Sequence, residues 1–474
     1  MADSRPLRRL RPAALLAVAL PWLAVCSDPS TPTPRAEATG LGPRLRLRIS
    51  GSLEGRLEPC GCASGQLGGL ARRSFYLQQE ADHDLLIEGG NLVKDGSALE
   101  LQKLATALSV LDLRGYAVLG VGPRDLQLPL DDLGMYLSAY NVQALASDLV
   151  EQRVEGRDPL PLRAYRDHAG TPSARVASLA LAVPEGEARA RLRVLPPAEA
   201  WAKAMADCPP ASLRILLVHG TAGEVRNAAQ LEPRPDLVIG VSEAFNEPPS
   251  TPETVDGVPV VFTGIRGRMI LDVILARRDT DGTPEITRYR VVPLEGSKSA
   301  PGAREDKEAK AIILDHRQQV KALGLLEAMA NRHAPKNGAS FVGNEHCADC
   351  HEEAQAVWAK SKHAVAWQTL VDAEAGTRYG WPVTRYPDCV ECHVVGYGQT
   401  SGFVTPEKTP KLGAVGCEAC HGPGSHHIEA QTGKRPAAQG LMGKVEVNTC
   451  LHCHDFEQSP GFVYGERWKE IEHR

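Results

Sequence analysis

The sequence has no uninterrupted apolar stretch of the roughly 18 to 20 residues that a transmembrane helix needs, which excludes a polytopic membrane protein. It also lacks an excess of one charge: 53 Lys and Arg stand against 58 Asp and Glu, so nothing indicates a nucleic-acid partner. Twelve cysteines are too few to make a disulfide scaffold of 474 residues. With 43% hydrophobic and 23% charged residues, the composition is that of a globular, multidomain protein.

The amino-terminal residues have the pattern of an export signal. Several arginines precede an apolar run over 13–25 that is too short to span a membrane. The run ends in the sequence LAVC, which resembles a bacterial lipobox, although Val25 stands where that motif has a small residue. We predict a signal peptide over 1–25, lipidation of Cys26 and a Pro-rich tether over 26–43, in a protein exported to the periplasm or cell surface of a bacterium. Conventional cleavage further along the chain is the alternative.

The carboxyl-terminal part of the chain holds eight of the twelve cysteines in four C-x-x-C-H motifs. Two thiols at this spacing can add to the two vinyl groups of one haem, and the following histidine then binds the iron as its proximal ligand. Zinc is the alternative for C-x-x-C pairs, but the invariable histidine after each pair favours haem. We predict four covalently attached c-type haems, held by these residues: Cys347, Cys350 and His351; Cys389, Cys392 and His393; Cys417, Cys420 and His421; Cys450, Cys453 and His454.

This region also resembles a known family. The segment 341–370 and the sequences CVECHVVGYGQTSGF and GCEACHGPGSHH around the second and third motifs are similar to the tetrahaem cytochromes c typified by the electron acceptor of hydroxylamine oxidoreductase. The resemblance implies a mainly α-helical domain packed around stacked haems, most of them with bis-histidine iron. It further implies that His363, on a helix expected over 352–370, and His427 are distal ligands, with His426 as the alternative to His427.

Two distal histidines for four irons leave open whether one haem is five-coordinate. That count separates an electron carrier, in which every iron is capped, from a catalyst with an open coordination position. Six further residues are candidate distal ligands, but each one individually is expected to be solvent-exposed or to contact a ligand without binding iron itself. They are His346, His452, His316, His333, His473 and Met442.

The middle of the chain has a different pattern, in which short apolar runs alternate with helical stretches such as 99–111. This alternation indicates an α/β sandwich. The strands are expected at 84–87, 116–119, 213–218, 236–239 and 258–263. The sequence GSLEGRLEPCGCASGQLGGLARR and the blocks LLIEGGNL, NVQALASDL and LLVHG resemble exported 5′-nucleotidase-like metallophosphoesterases, which implies a calcineurin-like α/β domain over 44–295.

Most metal ligands of that family are missing from this chain. Its five blocks supply Asp, His and Asn, but here they read Ser52-Leu53-Glu54, then Asn91 in place of Asp, then Gly122-Pro123-Arg124. The block at 240–244 has no histidine, and only His219 stays as the family has it. Because hydrolysis needs two metals to generate hydroxide and hold the phosphate, we expect a catalytically degenerate scaffold or docking module.

A Cys-x-Cys pair, Cys60 and Cys62, follows the first altered block and is absent from the family pattern. One interpretation is a redox-active pair or a soft-metal site with His219, Glu54 or Glu88 nearby. The other is a structural disulfide that uses Cys208 as a partner for one of the two cysteines.

A charged and then amphipathic segment, 296–338, joins the two domains. Its apolar residues recur at helical spacing, so we expect a helix that packs on one or both domains. The haem domain then spans 339–474. Together these features predict an electron-transfer protein that works with redox partner proteins or quinol-linked donors. The alternatives are a haem- or cysteine-dependent oxidoreductase acting on a small nitrogen or sulfur compound, and an active nucleotidase-like hydrolase.

Overall fold

The computed structural model describes residues 40–59, 67–152, 154–297, 302–335, 338–376, 381–455 and 458–473. The predicted signal peptide, Cys26, Cys60 and Cys62 lie outside the described residues. None of the helices in the described ranges combines the length and apolarity needed to cross a membrane.

Fourteen strands are described. They are β1 Leu45–Ser50, β2 Leu85–Glu88, β3 Val118–Gly120, β4 Gln143–Leu145, β5 Leu149–Glu151, β6 Tyr165–His168, β7 Ala174–Leu179, β8 Leu192–Val194, β9 Leu213–His219, β10 Leu237–Val241, β11 Glu253–Val255, β12 Val258–Thr263, β13 Met269–Arg277 and β14 Pro284–Pro293. The strand predictions are confirmed within two residues at each end. They succeed because strands buried on both faces read as continuous apolar runs.

The strands form two six-stranded sheets and one small ribbon. The first sheet has the order β14-β13-β1-β2-β3-β4, the second has the order β11-β12-β10-β9-β7-β6, and β5 pairs with β8. In the first sheet β1, β2, β3 and β4 run parallel, and in the second β7, β9, β10 and β12 do the same. Leu47 and Ile87 from the first sheet share a buried cluster with Ile215 and Ile239 from the second, so the sheets pack face to face.

Helices cover the outer faces of both sheets. They are α1 Leu70–Gln79, α2 Ala98–Leu113, α3 Leu130–Ala139, α4 Glu187–Arg191, α5 Pro197–Met205 and α6 Ala222–Ala228, with a 3-10 turn at Asp125–Gln127. The longest, α2, begins where Ser97 accepts a hydrogen bond from the Glu100 amide, and it buries Leu104, Leu108 and Leu111. The result is the predicted α/β sandwich, with layers in the order helix, sheet, sheet, helix.

Two helices, α7 Lys307–Ala322 and α8 Leu325–Ala328, follow β14 along the chain. The segment was expected to pack on one or both domains. Ile313 belongs to the cluster around α2, and Val320 belongs to the cluster of the haem-motif region. The stripe breaks at Gly324, whose φ of 62° ends α7, and Leu323 beside it is 56% exposed, against expectation.

The carboxyl-terminal region consists of short helices and 3-10 turns. The helices are α9 Glu345–Ala348, α10 Glu352–Ala359, α11 Ala366–Ala375, α12 Pro387–Val390, α13 Cys417–His421, α14 Ser425–Gln431, α15 Val447–Leu451 and α16 Tyr464–Arg467. The turns are Val383–Arg385, Pro410–Leu412, Ala437–Gln439 and Trp468–Glu470. The single helix expected over 352–370 is wrong. It divides into α10 and α11, because the Ser361 amide and hydroxyl both donate to the Trp358 carbonyl and end the first part.

Candidate functional site

The altered metal-ligand blocks meet at one edge of the α/β sandwich. Ser52 and Glu54 follow β1, Asn91 follows β2, and His219 ends β9. The carboxyl ends of parallel strands bring such residues together at one edge of a sheet. Ser52, Glu54 and Asn91 all have positive φ values, 49°, 51° and 51°, so the loops at this edge are strained.

His219 is buried at this edge and is 2% exposed. Neither of its ring nitrogens has a hydrogen-bond partner among the described residues. Burial lowers the pKa of His219 to about 3, so the imidazole is neutral at physiological pH. The backbone packs closely against the ring: a Cβ added to Gly122 would lie 2.6 Å from Nδ1.

We expect His219 to make the folded protein acid-sensitive. A folded-state pKa below the usual value of 6.5 means that unfolding takes up a proton, so stability is full above pH 6.5 and declines as the pH falls toward 3. Urea unfolding across this range, compared between the native chain and His219→Gln, measures the effect. The variant should lose stability less steeply, and equal slopes would contradict the expectation.

Guanidinium groups lie at the edge where the altered ligand blocks meet. The Arg124 amide donates to Asn91 Oδ1 at 3.1 Å, and its guanidinium donates to Glu243 Oε1 at 3.0 Å and 2.5 Å. Arg266 lies 3.9 Å from the carboxylate of Glu54. Within the described ranges, no group of three or more His, Cys, Asp or Glu residues is placed to hold a metal ion. The carboxylates of Glu54 and Glu243 are instead paired with guanidinium groups.

Two residues that were predicted to interact with Cys60 or Cys62 are Glu88 and Cys208. Glu88 accepts a hydrogen bond of 2.6 Å from Arg73 in the interior. Cys208 is a free thiol that donates to the carbonyl of Pro209 at 3.8 Å, so it has no disulfide bond in this structure. Burial raises the pKa of the Cys208 thiol.

Each C-x-x-C-H motif begins on a short helix: α9, α12, α13 or α15. The motifs are adjacent in pairs, because the thiols of Cys347 and Cys417 contact each other, as do those of Cys392 and Cys453. The first motif therefore lies against the third, and the second against the fourth.

Glu418, within the third motif, fixes the first pair of motifs. Its buried carboxylate accepts hydrogen bonds from the amides of Val342, Gly343 and Gly424 at 2.7 to 3.0 Å. Asn344 Oδ1 adds a bond of 2.9 Å from the Cys417 amide. Sequence analysis missed both residues, because nothing in the sequence distinguishes a buried, hydrogen-bonded Glu418 or Asn344 from an exposed one. The structure shows that their side chains accept backbone hydrogen bonds.

Three pairs of imidazoles face each other in this region. The ring centroids of His351 and His427 are 6.2 Å apart, and those of His363 and His454 are 6.0 Å apart. The third pair is His421 with His473, at 5.8 Å. Two imidazoles that bind one metal from opposite sides at about 2 Å each have centroids about 6 Å apart. The centroid separation of each of the three pairs is therefore compatible with one metal held between the two imidazoles.

Hydrogen bonds fix the orientation of several of these rings. Nδ1 of His427 lies 2.9 Å from the Gly440 carbonyl, and Nδ1 of His473 lies 2.9 Å from that of Ile471. Nδ1 of His454 lies 2.9 Å from Ser459 Oγ. An Nδ1–H that donates in this way leaves the Nε2 lone pair for a metal. Burial lowers the pKa of His363 and His454, which favours the neutral ligand form.

His393, in the second motif, has no facing imidazole in the described part of the chain. Its Nδ1 lies 2.6 Å from the Ala366 carbonyl, so the ring is oriented as the others are. Of the other candidates, His316 is held by Tyr386 at 3.0 Å. His452 is 66% exposed and lies 3.7 Å from Glu391. His333 and His346 are exposed, while His426 and Met442 are half-buried.

A family model described as cytochrome c554 and c-prime matches residues 346–422, which include the first three motifs. The curated cytochrome c-554 of Nitrosomonas europaea is 34% identical to the chain over 143 residues, a match that covers 26% of the chain and 61% of the relative. The carboxyl-terminal region is a cytochrome c554-like domain. This likeness implies covalently bound c-type haem, and the predicted family resemblance is confirmed.

The α/β domain is similar to solved 5′-nucleotidase structures. A 5′-nucleotidase precursor of Thermus thermophilus matches with a TM-score of 0.50 and 18% identity, over 63% of this chain and 62% of that one. The NAD nucleotidase of Haemophilus influenzae matches with a TM-score of 0.50 and 11% identity, over 64% of each chain. The chain thus spans less than two thirds of each relative. At these identities the likeness shows the fold alone, and it confirms a phosphoesterase-type α/β domain fused to the cytochrome c554-like domain.

Proposed function

We propose that the protein is an exported multihaem cytochrome c that transfers electrons through four haems. The observation that supports it best is the set of three facing imidazole pairs, each at the separation that one iron requires. Bound haem supplies one-electron chemistry whose potential depends on axial ligands, burial and nearby charge. The chain's own residues attach the haems, orient the ligands and set those conditions.

The proposed ligand assignment follows the pairs. His351, the proximal residue of the first motif, pairs with His427. The proximal His454 of the fourth motif pairs with His363, and the proximal His421 of the third pairs with His473. The second motif attaches its haem through Cys389 and Cys392, with His393 as the single ligand among the described residues. The other thioether positions are those predicted: Cys347, Cys350, Cys417, Cys420, Cys450 and Cys453.

We assign the phosphoesterase-like domain a scaffold or docking role without hydrolysis. Arg124 and Arg266 pair with Glu243 and Glu54, so these carboxylates are engaged by guanidinium groups at the edge where a dinuclear centre would lie. His219, the histidine that remains from the family's ligand set, cannot hold two metals by itself. Hydrolysis of a nucleotide on addition of divalent metal, abolished by His219→Ala, would overturn this assignment.

Export and anchoring belong to the same proposal. Haem attachment to C-x-x-C-H thiols agrees with the export signal at 1–25, and lipidation at Cys26 would hold the protein at a membrane. There it would exchange electrons with redox partner proteins or quinol-linked donors.

The test is a haem count with spin states on the purified full-length protein. We expect four covalent haems per chain by pyridine haemochrome assay, with EPR signals of three low-spin irons and one high-spin iron. Fewer than four haems would overturn the proposal, and four low-spin irons would overturn the ligand assignment at His393.

A second candidate function is an oxidoreductase acting on a small nitrogen or sulfur compound. The observation that favours it is His393, whose ring has no second imidazole facing it among the described residues. Binding of a small ligand such as nitric oxide to the reduced high-spin iron, with turnover, would support this function. A five-coordinate iron that binds no added ligand would exclude the oxidoreductase function, and electron transfer would be the remaining candidate.

A further inference from the structure

The second haem-attachment helix, α12, is bound to the phosphoesterase-like domain by a buried ion pair. Lys103 on α2 places its Nζ 2.6 Å from Asp388 Oδ2 and 2.5 Å from Glu100 Oε1. The Lys103 side chain is 4% exposed, and lysine is buried to this extent only when it is paired. Asp388 directly precedes Cys389, the first thioether cysteine of the second motif.

Further contacts hold the residues that flank the same motif. Tyr386, before the motif in the sequence, bonds to His316 Nε2 of α7 at 3.0 Å. Tyr397, after it, donates to the Leu326 carbonyl of α8 at 2.9 Å. Leu99 of α2 belongs to the same buried cluster as Val390 of α12. The surroundings of this motif are therefore built partly by the phosphoesterase-like domain.

Charge near this motif is set by Lys103 and its two carboxylates. Burial alone would lower the pKa of Lys103, but Asp388 and Glu100 raise it well above its usual value. Lys103 is therefore positively charged at any pH at which the protein works. A cation in a low-dielectric interior disfavours the more positive, oxidised state of a nearby haem.

We propose that Lys103 is a positioning residue that holds α12 and raises the reduction potential of the haem attached at Cys389 and Cys392. This inference rests on the proposed function, because it requires a haem at the second motif. It gives the phosphoesterase-like domain a specific role in electron transfer: one of its buried charges sets the potential of the haem that has a single protein ligand.

The test is a redox titration of the full-length holoprotein and of Lys103→Met, which removes the charge and keeps most of the side-chain volume. The high-spin iron is followed by EPR and the low-spin irons by absorbance. We expect a tenfold shift toward the oxidised form at the high-spin haem, which is a fall of about 59 mV for a one-electron couple, with the other haems unchanged. The matched control is Lys203→Met on α5, whose exposed lysine pairs with Glu199, and it should change nothing.

Asp388→Asn separates charge from structure. Removing this carboxylate should raise the potential of the same haem, opposite to Lys103→Met, whereas a merely structural role would move both variants in one direction. Asp388 is 32% exposed, so its replacement should disturb folding less than that of the buried Lys103. Asp388→Asn therefore still tests the proposal if Lys103→Met does not accumulate as folded protein. Four haems with unshifted potentials would overturn the inference alone, and a wild-type protein without haem at the second motif would overturn the proposed function itself.

Discussion

Replacing His473 by alanine is expected to convert one low-spin haem to high-spin, so that the ratio of low-spin to high-spin irons changes from three to one to two to two. His473 faces His421 with a centroid separation of 5.8 Å, and its Nδ1 is hydrogen-bonded to the Ile471 carbonyl. Alanine removes the imidazole on that side of the pair, and the iron is left with one axial ligand from the protein. EPR of the oxidised protein measures the ratio directly.

The matched control for this experiment is His426→Ala. His426 is the immediate neighbour of His427 and is half-buried, but its ring faces no other imidazole among the described residues. The control should keep three low-spin irons and four haems. An unchanged ratio in His473→Ala, or a changed one in His426→Ala, would contradict the assignment of the third pair.

Local pattern was sufficient to predict five of the strands and α2, and it is the basis of the prediction of the haem-attachment cysteines. The C-x-x-C-H spacing is a chemical requirement that acts within one helical turn, so it is visible in five residues. The buried strands β9, β10 and β12 were visible because parallel strands covered on both faces cannot contain polar residues at every second position.

The facing imidazoles could be predicted only in part. His363 and His427 lie inside blocks with family resemblance, whereas His473 lies outside every block and had no distinguishing sequence pattern. The break between α10 and α11 was hidden because Ser361 ends a helix through its side chain, an effect that apolar periodicity does not detect. The pairing of distant histidines depends on tertiary packing, which the local sequence does not show.

The ion pair between the two domains could not be predicted from the sequence either. Lys103 and Asp388 are 285 residues apart, and each looks like an ordinary exposed charge on its own segment. Only the packing of α2 against α12 removes water from the lysine and makes the pair strong. The same applies to Arg73 and Glu88, whose burial follows from α1 lying across the carboxyl ends of β1 and β2.

Replacing Arg73 by methionine is expected to destabilise the protein by about 3 to 5 kcal/mol, since breaking a buried pair from one side leaves an uncompensated charge. Arg73 is 1% exposed and Glu88 is fully buried. The guanidinium donates to Glu88 Oε2 at 2.6 Å and to Ser50 Oγ at 3.2 Å. Denaturant unfolding followed by far-ultraviolet circular dichroism gives the difference in free energy.

Two further variants show whether the loss arises from the stranded carboxylate. Arg46→Met removes an arginine that pairs with Asp82 at the surface, where both side chains are exposed, and should cost about 0 to 1 kcal/mol. The double variant Arg73→Met with Glu88→Leu removes both charges, and it should recover most of the stability that Arg73→Met loses. If the double variant is as unstable as the single one, the loss comes from packing of the arginine stem, and the ion pair is not what secures α1 to the sheet. If the double variant regains the stability, Arg73 is needed because it neutralises the buried carboxylate of Glu88 at the end of β2. In that case this edge of the phosphoesterase-like domain is held together by a protein cation beneath the loops that follow β1 and β2.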